Sequence, residues 1–175
     1  MAHVDVDIAQ ERGVVTRCGR LSALKQLEVE QHLRVAVVAV GDIADDLVER
    51  IRVRMDKLVI GPGDDPASEM GPLITREHRD RVAGYVGSGA DEGATVVVDG
   101  REQAFDGDGY FLGVSLLDHV TTDMQVYRDE VFGPVLSVVR SDTYHEAVQM
   151  IADNQPLHSG ETRPRGIDVE VQIVL

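Results

Sequence analysis

The sequence predicts an α/β domain with a parallel-type sheet flanked by helices. Three observations carry that expectation. Val35-Ala36-Val37-Val38-Ala39-Val40 is an unbroken apolar run that suits a strand buried on both faces. Beyond Gly41, the residues Ile43, Leu47, Ile51, Met55 and Leu58 recur at helical spacing. The downstream pattern then completes the order strand–helix–helix–strand–strand–strand–helix.

Residues 1–34 have mixed character. Val4, Val6 and Ile8 alternate with polar neighbours as in a short strand, and residues 21–33 fit a helix. The helix after Gly41 places Asp42 at an N-cap position, and Asp46 and Arg50 lie four apart on its outer side, where they can pair. Gly61-Pro62-Gly63-Asp64-Asp65-Pro66 then forces a loop, because proline lacks the helical donor and glycine is too permissive. Thr75, Glu77 and His78 start the next helix, Val82, Tyr85 and Val86 form its apolar face, and Gly87 to Gly93 ends it. Ala94 to Val98 reads as another buried strand stopped by Asp99-Gly100, and Tyr110 to Leu117 as an extended segment. Tyr127 to Val135 reads as a strand carrying an acid, then an aromatic, then a Gly-Pro break, with Val135 to Val139 extended. Thr143 to Ala152 closes the domain as a helix with Tyr144, Val148 and Ile151 on one side. The expected organisation is therefore an N-terminal segment 1–34, a domain over 35–154 and a divergent tail over 155–175, whose residues 167–175 alternate and read either as a lone edge strand or as disordered chain.

Composition narrows the function classes. With 175 residues the chain can bury a sizeable single core, and with only 4% aromatics and no Trp that core must be aliphatic. A net charge of −14 argues against nucleic acid and against anionic membrane surfaces, since both require clustered cations. No apolar run is long enough to span a bilayer, and Met1-Ala2-His3-Val4-Asp5 does not start a secretory signal. One cysteine, Cys18, excludes an internal disulfide and fits a reducing compartment, so the expected location is cytoplasmic.

Several motifs in fixed order resemble the catalytic domain of the aldehyde dehydrogenase superfamily. They are Gly41-Asp42, Met70-Gly71-Pro72-Leu73-Ile74, Glu92-Gly93-Ala94, Gly109-Tyr110-Phe111-Leu112 and Glu130-Val131-Phe132-Gly133-Pro134-Val135. Gly71-Pro72-Leu73-Ile74-Thr75 followed by His78-Arg79-Asp80-Arg81-Val82 is most similar to the methylmalonate-semialdehyde dehydrogenase branch. The resemblance implies a partial catalytic domain and a NAD-dependent oxidoreductase acting on a small aldehyde. In that branch the acyl acceptor is coenzyme A, and the setting is valine and inositol breakdown. Residue by residue, it implies that Glu130 accepts hydrogen bonds from the nicotinamide ribose hydroxyls and that Phe132 packs beside the nicotinamide.

The family's reaction needs a thiolate, which attacks the aldehyde and, after hydride transfer to NAD, leaves a thioester. Counting back from Val35 without a gap, the nucleophile's position falls on Gln31, which has none to offer. Cys18, preceded by Arg17, lies further upstream and imitates the family's Arg-Cys pair. No residue is therefore assigned a catalytic role, and the chain alone is expected to be inactive. A second reading is a noncatalytic remnant that associates with other proteins through an open sheet edge, and homo-oligomer formation stays open with it.

Other constellations point nowhere chemical. Gly87-Ser88-Gly89 with Gly93 follows a helix and precedes a strand, the reverse of a dinucleotide-binding turn. Asp106-Gly107-Asp108-Gly109 is followed by Tyr110 where a calcium loop needs a third ligand. The six histidines lack ligand spacing, so no metal site is expected.

Overall fold

The computed structural model describes residues 34–106, 108–129, 131–153 and 170–174. The strand and helix expected within residues 1–33, with Gln31 and Cys18, lie outside the described residues, as does Glu130. The elements are β1 (Arg34–Val40), α1 (Ala44–Met55), α2 (Arg76–Asp91), β2 (Thr95–Val98), β3 (Ser115–Asp118), α3 (Gln125–Arg128), β4 (Val135–Ser141), α4 (Tyr144–Asp153) and β5 (Glu170–Val174).

The strands form one sheet in the order β2-β3-β4-β1-β5. β1 runs parallel to β4 and to β5, with Ala36 opposite Ser137 and Val38 opposite Ile173. β3 runs parallel to β4, and only β2 is antiparallel, against β3. This is the parallel-type sheet with flanking helices that the sequence predicts. The segment 170–174 is an edge strand, and it is paired with β1 rather than standing alone.

Two packing layers follow from the period-2 alternation of the central strands. Ala36 and Val38 of β1, Leu117 of β3 and Val135 and Val139 of β4 face α2, α3 and α4, where they meet Val82, Val86, Val126, Tyr127 and Ala147. Val37, Ala39, Leu116 and Val138 face the opposite side and meet Ala44, Leu47, Val48 and Ile51 of α1. The run 35–40 is thus covered on both faces, as its unbroken hydrophobicity requires.

Several local expectations change. Asp42 does not cap α1: it sits in a 3-10 turn, Gly41–Ile43, and neither that turn nor α1 has a side-chain cap. The Asp46–Arg50 pair does form, at 2.7 Å. Thr75 caps α2 as expected, accepting the His78 N–H. That helix ends at Asp91, within the expected Gly87 to Gly93 stretch, and in its last turns Gly89 serves close packing: a Cβ there would lie 3.0 Å from Leu117 Cδ1. Gly93, at φ +108°, turns the chain just beyond the helix. β2 is half-exposed rather than buried, being an antiparallel edge strand with one open side. Among the residues of α4 whose burial is described Ala147 is buried, while Tyr144 and Val148 of the expected face are exposed and Ile151 lies outside those residues.

Gly84 lies on the exposed side of α2 with open space where a Cβ would stand. Gly84→Ala is expected to raise unfolding stability by about 0.5–1 kcal/mol through lower unfolded-state entropy. A denaturant titration at constant m-value measures this, and a loss of stability would contradict it.

Candidate functional site

The segment between α3 and β4 was read above as a strand, but it folds differently. Residues 125–128 form the short α3, and 131–134 form a loop before β4 begins at Val135. The helix starts where it does because Glu92, at the end of α2, accepts the Gln125 N–H at 2.7 Å. A carboxylate at the first turn satisfies a donor that the helix cannot. Gly133 and Pro134 prevent continuation as helix, and two tight backbone bonds shape the loop: Gly133 N–H to Val131 C=O and Val135 N–H to Gly133 C=O.

Within this loop Val131 is buried and anchors the backbone, while Phe132 is 43% exposed and turned outward. Gly133 is needed for close approach: a Cβ there would lie 2.6 Å from Val82 Cγ1 on α2. The Pro134 carbonyl accepts the Ser115 N–H at 2.8 Å and so ties the loop to β3.

The same helix supplies polar contacts. His78 Nε2 lies 2.5 Å from the Phe132 carbonyl oxygen, and an Arg81 guanidinium nitrogen lies 2.8 Å from His78 Nδ1. The Tyr85 hydroxyl donates to Asp129 Oδ2 at 2.9 Å, and the Gln125 amide donates to the same oxygen at 3.0 Å. Burial, then the hydrogen bond and negative charge of Asp129, push the Tyr85 phenol above its ordinary pKa, against a smaller opposing effect of Arg81.

Of the two residues assigned to the cofactor, Phe132 is therefore on the surface of an anchored loop, while Glu130, two positions before it, lies outside the described residues. The exposed ring sits on a loop held by backbone hydrogen bonds at Gly133 and Val135 and by the His78 side chain at its own carbonyl. Sequence reasoning placed Val82 and Tyr85 on the apolar face of α2 but missed that His78 and Arg81 lie on the same stripe, at i and i+3 to their i+4 and i+7, because polar residues hide from a hydrophobicity pattern. Among the described residues no cluster of three or more His, Cys, Asp or Glu side chains is placed to hold a metal ion.

Comparisons with known proteins bear on the family and the fold. A model of the aldehyde dehydrogenase family matches residues 34–159. Malonate-semialdehyde dehydrogenase 1 of Geobacillus thermodenitrificans (strain NG80-2) is 46% identical over 125 residues, which are 71% of this chain and 26% of that protein. The crystal structure of methylmalonate-semialdehyde dehydrogenase from Oceanimonas doudoroffii matches with a TM-score of 0.64 at 45% identity, covering 66% of this chain and 24% of that one. The crystal structure of Mycobacterium tuberculosis aldehyde dehydrogenase complexed with NAD+ matches with a TM-score of 0.65 at 32% identity, covering 68% of this chain and 25% of that one. The chain thus spans about a quarter of the length of the curated relatives it matches. The match over 34–159, on a sheet whose loops carry the expected motifs in order, establishes that this chain belongs to the aldehyde dehydrogenase family.

Proposed function

We propose that this chain supplies the nicotinamide-facing wall of a NAD-dependent, coenzyme A-acylating semialdehyde dehydrogenase, and that by itself it does not turn over aldehyde. The observation that carries the reading is the exposed Phe132 on an anchored loop, in a chain 46% identical to a malonate-semialdehyde dehydrogenase. Glu130, two residues before Phe132, would accept the nicotinamide ribose hydroxyls in a forked arrangement. When bound, NAD supplies the hydride acceptor. The protein's part is placement of that ring and the exclusion of water around it.

The missing part is the nucleophile. The gap-free count puts Gln31 at its position, and a carboxamide cannot form the thiohemiacetal from which hydride leaves. By the same resemblance, the aldehyde would arise in valine or inositol breakdown, and the chain would act in the cytoplasm. The association reading has a more limited basis. Among the described strands the open sides belong to β2 and β5, since β1 lies between β4 and β5.

Incubation with methylmalonate semialdehyde, NAD and coenzyme A is expected to give no NADH. Turnover that disappears in Cys18→Ser would overturn this and make Cys18 the nucleophile. Calorimetry is expected to show weak or absent NAD binding, and micromolar affinity lost on Glu130→Ala would contradict that part.

A further inference from the structure

We propose that His78, Arg81 and Tyr85 are positioning residues that hold the loop carrying Phe132 against α2, with His78 locked as the neutral tautomer protonated at Nε2. The role assigned to the loop rests on the function proposed above, but the geometry of the clamp does not.

The tautomer follows from the partners. A guanidinium has only donors, so the contact from Arg81 requires an acceptor at His78 Nδ1. A carbonyl has only lone pairs, so the contact to Phe132 requires a proton at His78 Nε2. Both conditions hold in one form of the ring: neutral, with the proton on Nε2. The Nδ1-protonated tautomer would lose both contacts, and the imidazolium would turn a second donor toward Arg81.

The clamp grips the loop from both ends. Tyr85 and Gln125 hold Asp129 at its start, and His78 holds the Phe132 carbonyl near its end. Between these contacts in sequence lies Glu130. Val82, between them on α2, fills the space that any side chain at position 133 would need. Phe132 lies in a loop between α3 and β4, and its carbonyl is held there by a side chain of α2.

The test uses the whole chain and needs no ligand. Long-range proton–nitrogen spectra of the His78 ring are expected to show the neutral form protonated at Nε2. In His78→Ala, amide hydrogen exchange at Gly133 and Val135 is expected to quicken by about tenfold, as for loss of one anchoring hydrogen bond, while Val37, Val38, Val138 and Val139 keep their protection. His78→Gln, which can donate and accept on the same side, is expected to restore slow exchange. An Nδ1-protonated ring, unchanged exchange in His78→Ala, or equal acceleration throughout the sheet would each overturn the proposal, the last by making His78 merely structural. Turnover of aldehyde by the chain would overturn the function proposed above and leave these results untouched.

Discussion

Gly100→Ala is expected to destabilise the fold by about 3 kcal/mol or more, a large share of the stability of a domain this size. Gly100 is buried where the chain leaves β2, and it stands back to back with Gly113 just before β3. A Cβ at Gly100 would lie 2.1 Å from the Gly113 carbonyl oxygen and 2.6 Å from that of Val114. These are main-chain atoms, so no rotamer change can relieve the overlap. The alternative is separation of the two backbones, which would break the Gly113 N–H bond to the Gly100 carbonyl and the Gly100 N–H bond to the Ser115 hydroxyl. Ser115 is fully buried, so its hydroxyl would then be left without that donor inside the core. Denaturant unfolding of Gly100→Ala beside Gly84→Ala makes a sharp comparison, because the same chemical change is expected to act with opposite sign at the two glycines. Equal midpoints for the two variants would contradict the close-packing account.

How far the sequence revealed the structure depended on whether the relevant physics was local. The run 35–40 announced a strand covered on both faces because every residue in it is apolar, and both packing layers confirm this. The stripe Leu47, Ile51 of α1 was legible for the same reason. The glycines from 87 to 93 marked the end of α2, at Asp91, but the contact of Gly89 with Leu117 on a distant strand had no local signal. Thr143 and Glu146 formed a missed signal. Their side chains and backbone N–H groups exchange hydrogen bonds as a capping box, which marks the start of α4 from sequence alone. Residues 127–135 were read as a strand from their acid, aromatic and Gly-Pro pattern, but Glu92 stabilises a helical turn over 125–128 that no local pattern announces. Pairing of β1 with β4 joins segments about a hundred residues apart, and no local pattern encodes such a partner. Phe132 was singled out by motif, whereas the contacts that His78 and Tyr85 make to its loop could be seen only once the helix lay across it.

Asp118→Ala is expected to cost about 2 kcal/mol, because it removes a buried carboxylate that Arg140 and the His119 N–H share at the end of the sheet. The Asp118 side chain is only 5% exposed. Its two oxygens accept a forked pair from Arg140, at 3.1 and 2.7 Å, and Oδ1 also accepts the His119 N–H at 2.7 Å. His119 holds a positive φ of 56°, so this N–H bond also fixes a backbone turn that non-glycine residues seldom adopt. Arg140 reaches on to Asp45 of α1 at 2.8 Å, but Asp45 is largely in water and cannot replace a buried partner. Burial alone would raise the pKa of Asp118, yet the Arg140 hydrogen bonds, the His119 N–H and the nearby positive charge outweigh it and hold the carboxyl below its ordinary value. The sign of the pH effect follows. The folded state binds this proton less readily than the unfolded chain, so the contribution is fully present above the unfolded carboxyl value and is lost as pH falls below about 4. Stability measured from neutral pH downward is therefore expected to fall less steeply in Asp118→Ala than in the parent chain, with the two curves converging in acid. Parallel curves over that range would show that the pair with Arg140 contributes nothing that depends on its charge, and would leave the cost of the substitution to packing alone.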